Sequence, residues 1–111
     1  MLNKNNQAED KMITNTEHYS FHHEEIIALE RIIAVAKRKP FFACFIANSY
    51  DTHYLCDVRS CVRYMQSESN SELHTGFYLM LKLAAMGVES HEYLGRETVT
   101  NLIDEWSLQR Q

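Results

Sequence analysis

The sequence predicts a mainly helical α+β domain, with about four helices and one β-hairpin after the first helix. Four segments repeat apolar residues at the spacing of amphipathic helices. Residues 41–47 form a continuous apolar run, followed by turn-forming residues and a second short apolar segment, which favours a hairpin. The length of 111 residues suffices for one domain and not for two.

Residues 1–19 are polar, rich in Asn and without hydrophobic periodicity, so we expect a flexible tail before a single domain at 20–111. Met12 is a second candidate for the initiating residue. The tail lacks the apolar segment of a signal peptide, and no apolar run approaches the roughly 20 residues of a membrane helix. Three cysteines, an odd number, favour a reducing cytoplasm over a disulfide-stabilised secreted domain.

The first helix is expected at about 21–38. Ser20 is its candidate N-cap, and glutamates in the early turns suit the helix dipole. Three cations follow at the C-terminal end, where the dipole favours them: Lys37, Arg38 and Lys39. Pro40 is expected to end this helix, because proline cannot continue the backbone hydrogen bonding.

We expect residues 41–47 to form a strand buried on both faces, because the run is short and apolar throughout. Residues 48–52 have turn chemistry, and residues 53–56 would form the return strand. A three-residue turn would place Cys44 opposite Cys56, whereas a four-residue turn would not. Because an isolated two-stranded hairpin is marginally stable, it must pack on the helices or on a second copy of the chain.

Three further helices are expected after the hairpin. Asp57 is the candidate cap of a helix to about residue 66, and Ser71 and Gly87 bound an apolar helix at 71–86. Residues 91–95 are irregular or form one short turn. The last helix is expected at about 96–109, with one apolar stripe: Val99, Leu102, Ile103 and Trp106.

The helix at 71–86 is apolar on two faces, and a helix of this kind must be covered on both. The second face consists of four residues: Gly76, Leu79, Leu83 and Met86. The helix at 21–38 could cover this face within the chain, and a second copy could cover it between chains. We predict a homodimer with this face at or near its interface, where Gly76 would allow close backbone approach.

No motif for catalysis or for cofactor binding is complete in the sequence. Nucleophile elbows and glycine-rich phosphate loops are absent, and the His-Glu pairs at His23 and His91 lack the second histidine of a zinc-protease motif. Cys56 and Cys61 have no second cysteine pair to complete a tetrahedral metal site. We therefore expect no catalytic residues, no metal, no cofactor and no enzyme activity.

A small enzyme that depends on a cysteine or a histidine is one alternative. Cys61 has Arg59 and Arg63 on either side in the sequence, and nearby cations favour a reactive thiolate. The other two cysteines lack such a setting. One lies in the apolar strand, and the other is three residues from His53, on the opposite face of the predicted return strand.

A DNA-binding regulator is the second alternative. Five cations are candidate contacts for nucleic acid or for an acidic partner: Lys37, Arg38, Lys39, Arg59 and Arg63. The pattern around Gly87 loosely resembles a helix-turn-helix, although its would-be recognition segment carries two glutamates. The net charge of −4 argues against non-specific binding to nucleic acid, which needs a basic surface.

The sequence thus favours a small non-enzymatic interaction module that regulates or inhibits a larger protein by binding it. Its size, acidic balance and lack of catalytic motifs resemble phage and plasmid accessory proteins in general. We expect a protein partner of unknown identity and a homodimer, and we expect neither a nucleic acid nor a membrane as partner.

Overall fold

Helices alone form the regular structure of residues 13–69 and 71–111, which the computed structural model describes. Within these ranges there are six of them: α1 (His23–Ala36), α2 (Pro40–Tyr50), α3 (Val58–Ser67), α4 (Ser71–Ala85), α5 (His91–Leu94) and α6 (Arg96–Glu105). Because neither a strand nor a sheet occurs in them, the predicted α+β class with a β-hairpin is wrong. None of these helices is long and apolar enough to cross a membrane.

The first strand of the predicted hairpin is helix α2. Pro40 occupies the first turn of α2, where its missing N–H costs no hydrogen bond within the helix. Five residues of α2 are buried: Phe42, Ala43, Phe45, Ile46 and Ala47. They are buried because α2 packs against α1, α3 and α6. A helix that is covered on several sides is apolar on nearly all of its surface. A short apolar run in the sequence therefore fits such a helix as well as a strand that is buried on both faces.

Residues 51–57, which include the predicted return strand, form a loop between α2 and α3. The side-chain amide of Asn48 donates to the carbonyl oxygen of Tyr54 at 2.7 Å. The carboxylate of Asp51 accepts from the backbone N–H of His53 at 2.9 Å. Polar side chains therefore hold this segment in place of the β-ladder that we predicted.

The predicted helices at 21–38, 57–66, 71–86 and 96–109 are confirmed, with corrected bounds. α1 begins after His22 and not after Ser20, and the side chain of Glu25 accepts from the backbone N–H of His22. Asp57 caps α3 as predicted, because its carboxylate accepts from the backbone N–H of Ser60 at 3.1 Å. Gly87 ends α4 with a φ of 82°, which glycine adopts readily.

α6 is shorter than predicted and ends at Glu105. Trp106 is its C-cap, and Ser107 has a φ of 52°, outside the right-handed helical region. The indole Nε1 of Trp106 donates to the carbonyl oxygen of Ala36 at 2.9 Å. The last carbonyl groups of a helix have no partner within that helix, and Ala36 is the last residue of α1. The hydrogen bond therefore attaches the end of α6 to the end of α1.

Helices α1 and α4 form the most extensive helix pair. A Cβ atom placed on Gly76 would lie 2.6 Å from the carbonyl oxygen of Ala28 in α1, so the two backbones approach closely at this glycine. Leu79 and Leu83 lie on the same side of α4 as Gly76 and are buried. α1 therefore covers the second apolar face of α4 within one chain.

The described chain begins inside the predicted tail. Ile13 is buried and belongs to the hydrophobic core. The backbone N–H of Thr14 donates to the carbonyl oxygen of Tyr93 at 3.0 Å. Residues from Ile13 onward therefore pack on the helices. Residues 1–12, including the alternative start Met12, lie outside the described residues.

Candidate functional site

A cavity of about 620 Å³ opens between the end of α2, the loop at 51–57 and the end of α4. Its apolar lining includes Phe45 of α2, Val58 of α3 and Leu81 of α4. The polar part of its lining includes six residues: Asn48, Ser49, Asp51, Thr52, His53 and Glu89. The cavity thus joins an apolar wall to a polar rim.

Apolar side chains continue from the cavity onto the surface. Val58 and Leu81 are 49% and 44% exposed. Val62 lies one turn after Val58 on α3, Tyr78 lies three residues before Leu81 on α4, and both are exposed. We call these four residues the α3–α4 face. Large apolar side chains left in water mark a candidate contact surface when they lie together.

The floor of the cavity is firmly packed. Phe45, which lines the cavity, stacks on the buried ring of Phe77 with 4.3 Å between ring centroids. Phe77 also meets Phe42 edge to face, and Phe42 meets Tyr64 of α3 in the same way. These ring contacts connect α2 with α3 and α4, so the floor holds the two walls in fixed positions.

Helix α3 presents cations beside its exposed valines. Arg59 and Arg63 are exposed and lie four residues apart, which places them on one side of the helix. Among the described residues, neither arginine takes part in an ion pair. The solvent side of α3 therefore combines apolar contact area with two guanidinium groups that are available to an anionic partner.

The two groups of cations that the sequence singled out meet at Tyr64. The ammonium group of Lys39 lies 5.6 Å from the centroid of the Tyr64 ring. Arg63 and Tyr64 line a second cavity, of about 290 Å³. Lys37 and Arg38 are exposed in the short connection between α1 and α2. The structure thus joins Lys39 and Arg63 into one basic surface and leaves Lys37 and Arg38 at its edge.

Two carboxylates lie close to the cations of this surface. The charge of Arg59 contributes to lowering the pKa of Asp57, which caps α3. Glu68 is the second, and it is already paired. Arg31 of α1 donates to it at 2.8 Å. The hydrogen bond from Arg31 holds the pKa of Glu68 below its usual value, and the charges of Arg31 and Arg38 add to this effect. Because Glu68 is engaged by Arg31, it does not neutralise Arg59 or Arg63.

Asp51, His53 and Arg110 form a network at the rim of the larger cavity. The carboxylate of Asp51 lies 2.9 Å from Nδ1 of His53 and accepts from Nε of Arg110 at 2.8 Å. Hydrogen bonds from the backbone and side chain of His53, together with Arg110, hold the pKa of Asp51 at about 2. The backbone N–H of Gln111 donates to the carbonyl oxygen of His53. The network therefore fastens the end of the chain to the loop.

The structure removes the reason for which the sequence singled out Cys61. Cys61 is fully buried, and its thiol donates to the carbonyl oxygen of Phe41 at 3.4 Å. The neighbouring Cys56 and burial raise the pKa of the Cys61 thiol. Arg59 and Arg63 are its neighbours in the sequence but are exposed, so they do not form the electropositive setting that we predicted.

Cys56 is the cysteine that sequence reasoning missed. It is half-buried and lines the larger cavity together with His53, from which the predicted strand would have separated it. The neighbouring Cys61 lowers the pKa of Cys56. The signal was present in the sequence, because Asp57 as N-cap places Cys56 at position N′ and Cys61 at N4. These are the two positions that contact each other in a hydrophobic staple.

The structure buries three of the four residues predicted at a homodimer interface and leaves the fourth exposed. Gly76, Leu79 and Leu83 are buried within the chain, and Met86 at the end of α4 is 46% exposed.

In the described part of the chain, no group of three or more His, Cys, Asp or Glu side chains could hold a metal ion. In comparisons with known proteins, the chain matches no family, no curated protein and no solved structure. Geometry alone therefore supports the functional argument.

Proposed function

We propose that the protein is a non-enzymatic interaction module that binds an acidic, partly apolar segment of a larger protein in the cytoplasm and thereby regulates it. The binding surface is the α3–α4 face together with Arg59 and Arg63. One observation carries this proposal: exposed valines and exposed arginines lie side by side on α3. The half-exposed apolar groups favour contact with a partner, and the arginines select one that carries carboxylates.

The chemistry of the face indicates the form of the partner segment. Val58 and Val62 lie one helical turn apart, and Leu81 contributes from the opposite wall of the cavity. An amphipathic helix offers apolar side chains at three- and four-residue spacing, with carboxylates beside them, and can lie in such a groove. Burying a half-exposed valine or leucine contributes about 1 kcal/mol, so several contacts are needed for stable binding.

A nucleic acid is a weaker fit to the same surface. The helix-turn-helix pattern around Gly87 corresponds in the structure to α5, which has only four residues and buries Tyr93 and Leu94. It therefore presents no helix long enough to enter a major groove. The exposed valines beside the arginines also have no role in contacts with phosphates, which call for cations and hydrogen-bond donors.

The test is differential affinity purification from the native host, with quantitative mass spectrometry, in the presence of nuclease. We expect a partner that is recovered with the wild type and with Arg96→Glu, a matched charge reversal on α6. The same partner should be lost with Val62→Asp and with Arg63→Glu. With purified partner, Arg63→Glu should weaken binding about tenfold, which corresponds to about 1.4 kcal/mol.

Two outcomes would contradict the proposal. In the first, every recovered protein binds the two α3 variants as well as it binds the wild type. In the second, nuclease abolishes every interaction that depends on α3, and labelled DNA or RNA binds the wild type but not Arg63→Glu. Circular dichroism of each variant shows that a loss of binding is not a loss of folding.

A further inference from the structure

We propose that Cys56 and Cys61 form a redox-active thiol pair, a modification site at which a hydroperoxide converts the two thiols into a disulfide. The inference rests on the position of the two cysteines at the start of α3. It does not depend on the proposed partner, because it concerns the chemistry of the chain itself.

Capping fixes the geometry of the pair. The carboxylate of Asp57 accepts from the backbone N–H and from the hydroxyl of Ser60, at 3.1 and 2.6 Å. The backbone N–H of Cys61 donates to the carbonyl oxygen of Asp57, so the first turn of α3 is closed. With Asp57 as N-cap, Cys56 is at N′ and Cys61 is at N4, where side chains contact each other. Each of the two thiols shifts the pKa of the other, as expected for neighbouring sulfur atoms.

The two thiols differ in access to solvent. Cys56 is half-buried and lines the cavity of about 620 Å³. Cys61 is fully buried behind it, and its sulfur is held by the carbonyl oxygen of Phe41. A small oxidant that enters the cavity therefore reaches Cys56 first, and Cys61 is the nearest group that can react with the product.

The environments of the two thiols assign their roles. The neighbouring Cys61 lowers the pKa of Cys56, although burial and the charge of Asp57 oppose this effect. The start of a ten-residue helix adds a favourable dipole. For Cys61, the neighbouring Cys56 and burial raise the pKa. Because Cys56 lines the cavity and Cys61 is buried, Cys56 is the attacking thiol and Cys61 is the resolving thiol.

The reaction balances with hydrogen peroxide as oxidant. The Cys56 thiolate attacks one peroxide oxygen, the O–O bond breaks, and the leaving hydroxide takes a proton to become water. Cys56 is then a sulfenic acid. The sulfur of Cys61 attacks the sulfur of Cys56, the S–S bond forms, and the S–O bond breaks. The departing hydroxyl takes the proton of Cys61, so that one peroxide and two thiols give one disulfide and two waters.

Cys44 provides a matched control. It is half-buried on α2, and its pKa is raised by burial and by the charge of Cys56. The charge of Cys44 in turn raises the pKa of Cys61. It opens onto a different cavity, which it lines with Tyr54 and Leu55. Cys44 therefore shares the neighbourhood of the pair but lacks the capped position at the start of α3.

Tryptic peptide mapping without reduction tests the pair. Cleavage after Arg59 and Arg63 releases residues 60–63 with Cys61. Cleavage after Arg38 and Arg59, with Pro40 blocking the bond after Lys39, releases residues 39–59 with Cys44 and Cys56. After treatment with one equivalent of peroxide, we expect these two peptides to be disulfide-linked in the wild type and in Cys44→Ser. The link should be absent in Cys56→Ser.

The rate of linkage separates a built site from incidental oxidation. We expect the native protein to form the link roughly tenfold faster than the same chain unfolded in urea at the same pH, because only the folded chain stabilises the Cys56 thiolate. In Cys61→Ser, a sulfenic-acid probe should label Cys56. Equal rates in folded and unfolded chains would overturn the proposal, and so would a link that survives in Cys56→Ser and disappears in Cys44→Ser. The wild-type measurements stand even where the buried Cys61→Ser variant does not fold.

Discussion

At the scale of single residues, the buried hydroxyl of Tyr93 destabilises the core. It is fully buried, and its hydroxyl has no hydrogen-bond partner among the residues that the structure describes. Burial raises the pKa of this phenol, because the charged form would lose its hydration. A buried hydroxyl without a partner loses its hydrogen bonds to water on folding and gains nothing in return.

We therefore expect Tyr93→Phe to stabilise the protein, with a gain of about 1 kcal/mol in the free energy of unfolding. Urea denaturation followed by circular dichroism measures the change. Tyr19→Phe is the matched control, because the hydroxyl of Tyr19 donates to Glu25 at 2.6 Å. Its removal should cost about 1 kcal/mol. A Tyr93→Phe variant that is less stable than the wild type would show that the hydroxyl has a partner.

The cysteines show how much of the candidate site could be predicted from the sequence. Asp57 was identified as an N-cap from local sequence, and this identification already implies a contact between Cys56 and Cys61. Which thiol is exposed could not be predicted, because exposure depends on how α2 and the loop at 51–57 cover α3. The arginines that flank Cys61 in the sequence indicated an electropositive setting for its thiol. The side chain of Cys61 is instead buried away from them, since neighbouring residues of a helix point in different directions.

At the scale of helices, the contact between α1 and α4 organises the fold. Gly76 is the point of closest approach, and a Cβ atom there would lie 2.6 Å from the carbonyl oxygen of Ala28 and 3.0 Å from the side chain of Ile32. The backbone oxygen cannot move away without bending α1. The absence of a side chain at Gly76 is therefore a condition for the packing of the two helices.

Gly76→Ala should destabilise the protein by about 2–3 kcal/mol, the cost of forcing an extra methyl group into a packed interface. Gly87→Ala is the comparison, because nothing lies within 4 Å of a Cβ atom there and the cost comes only from the φ of 82°. That cost is about 1 kcal/mol. Thermal or urea unfolding measures both changes. Equal losses in the two variants would contradict the close approach of α1 and α4.

Helix α2 shows why the hairpin prediction failed. Its apolar run is shorter than the usual helix, and it follows a proline that also marks the end of α1. Local propensity therefore did not oppose a strand. Burial by α1, α3, α4 and α6 decided the outcome, because a central helix needs no polar face. The sequence indicates that this segment is buried, but it does not indicate whether the segment is a helix or a strand.

At the scale of the whole molecule, one hydrophobic core unites helices α1 to α6 with Ile13. Leu83 is fully buried in it, whereas Leu81, two residues earlier on α4, is 44% exposed on the α3–α4 face. Two leucines of the same helix thus lie in opposite environments. This contrast allows the core and the surface to be tested with a pair of identical substitutions.

Leu83→Glu should abolish cooperative folding, because an unpaired buried charge costs several kcal/mol and a domain of this size has only about 5–15 kcal/mol of stability. Leu81→Glu should remain folded. Circular dichroism with light scattering checks both variants. A folded, soluble Leu83→Glu would contradict the burial of this residue within one chain.

The same light-scattering measurement tests the homodimer, which stays a prediction. We expect the wild type to have twice the mass of one chain. Because Gly76, Leu79 and Leu83 are occupied by α1, a second copy would contact other residues, with Met86 and the α3–α4 face as the exposed apolar surfaces. A wild-type monomer would contradict the homodimer.

The sequence by itself determined that four of the helices exist and located several of their ends. These predictions depend on local signals, which act over one or two helical turns and do not require knowledge of the fold. The signals are the cap at Asp57, the glycine at Gly87 and the periodic apolar stripe of α6. Tertiary structure alone decided three other points: that residues 40–50 are helical, that α1 covers the second face of α4, and that Cys56 is more accessible than Cys61. Each of these depends on residues distant in the sequence, and the free energy of burial belongs to the whole set of contacts and not to any one segment.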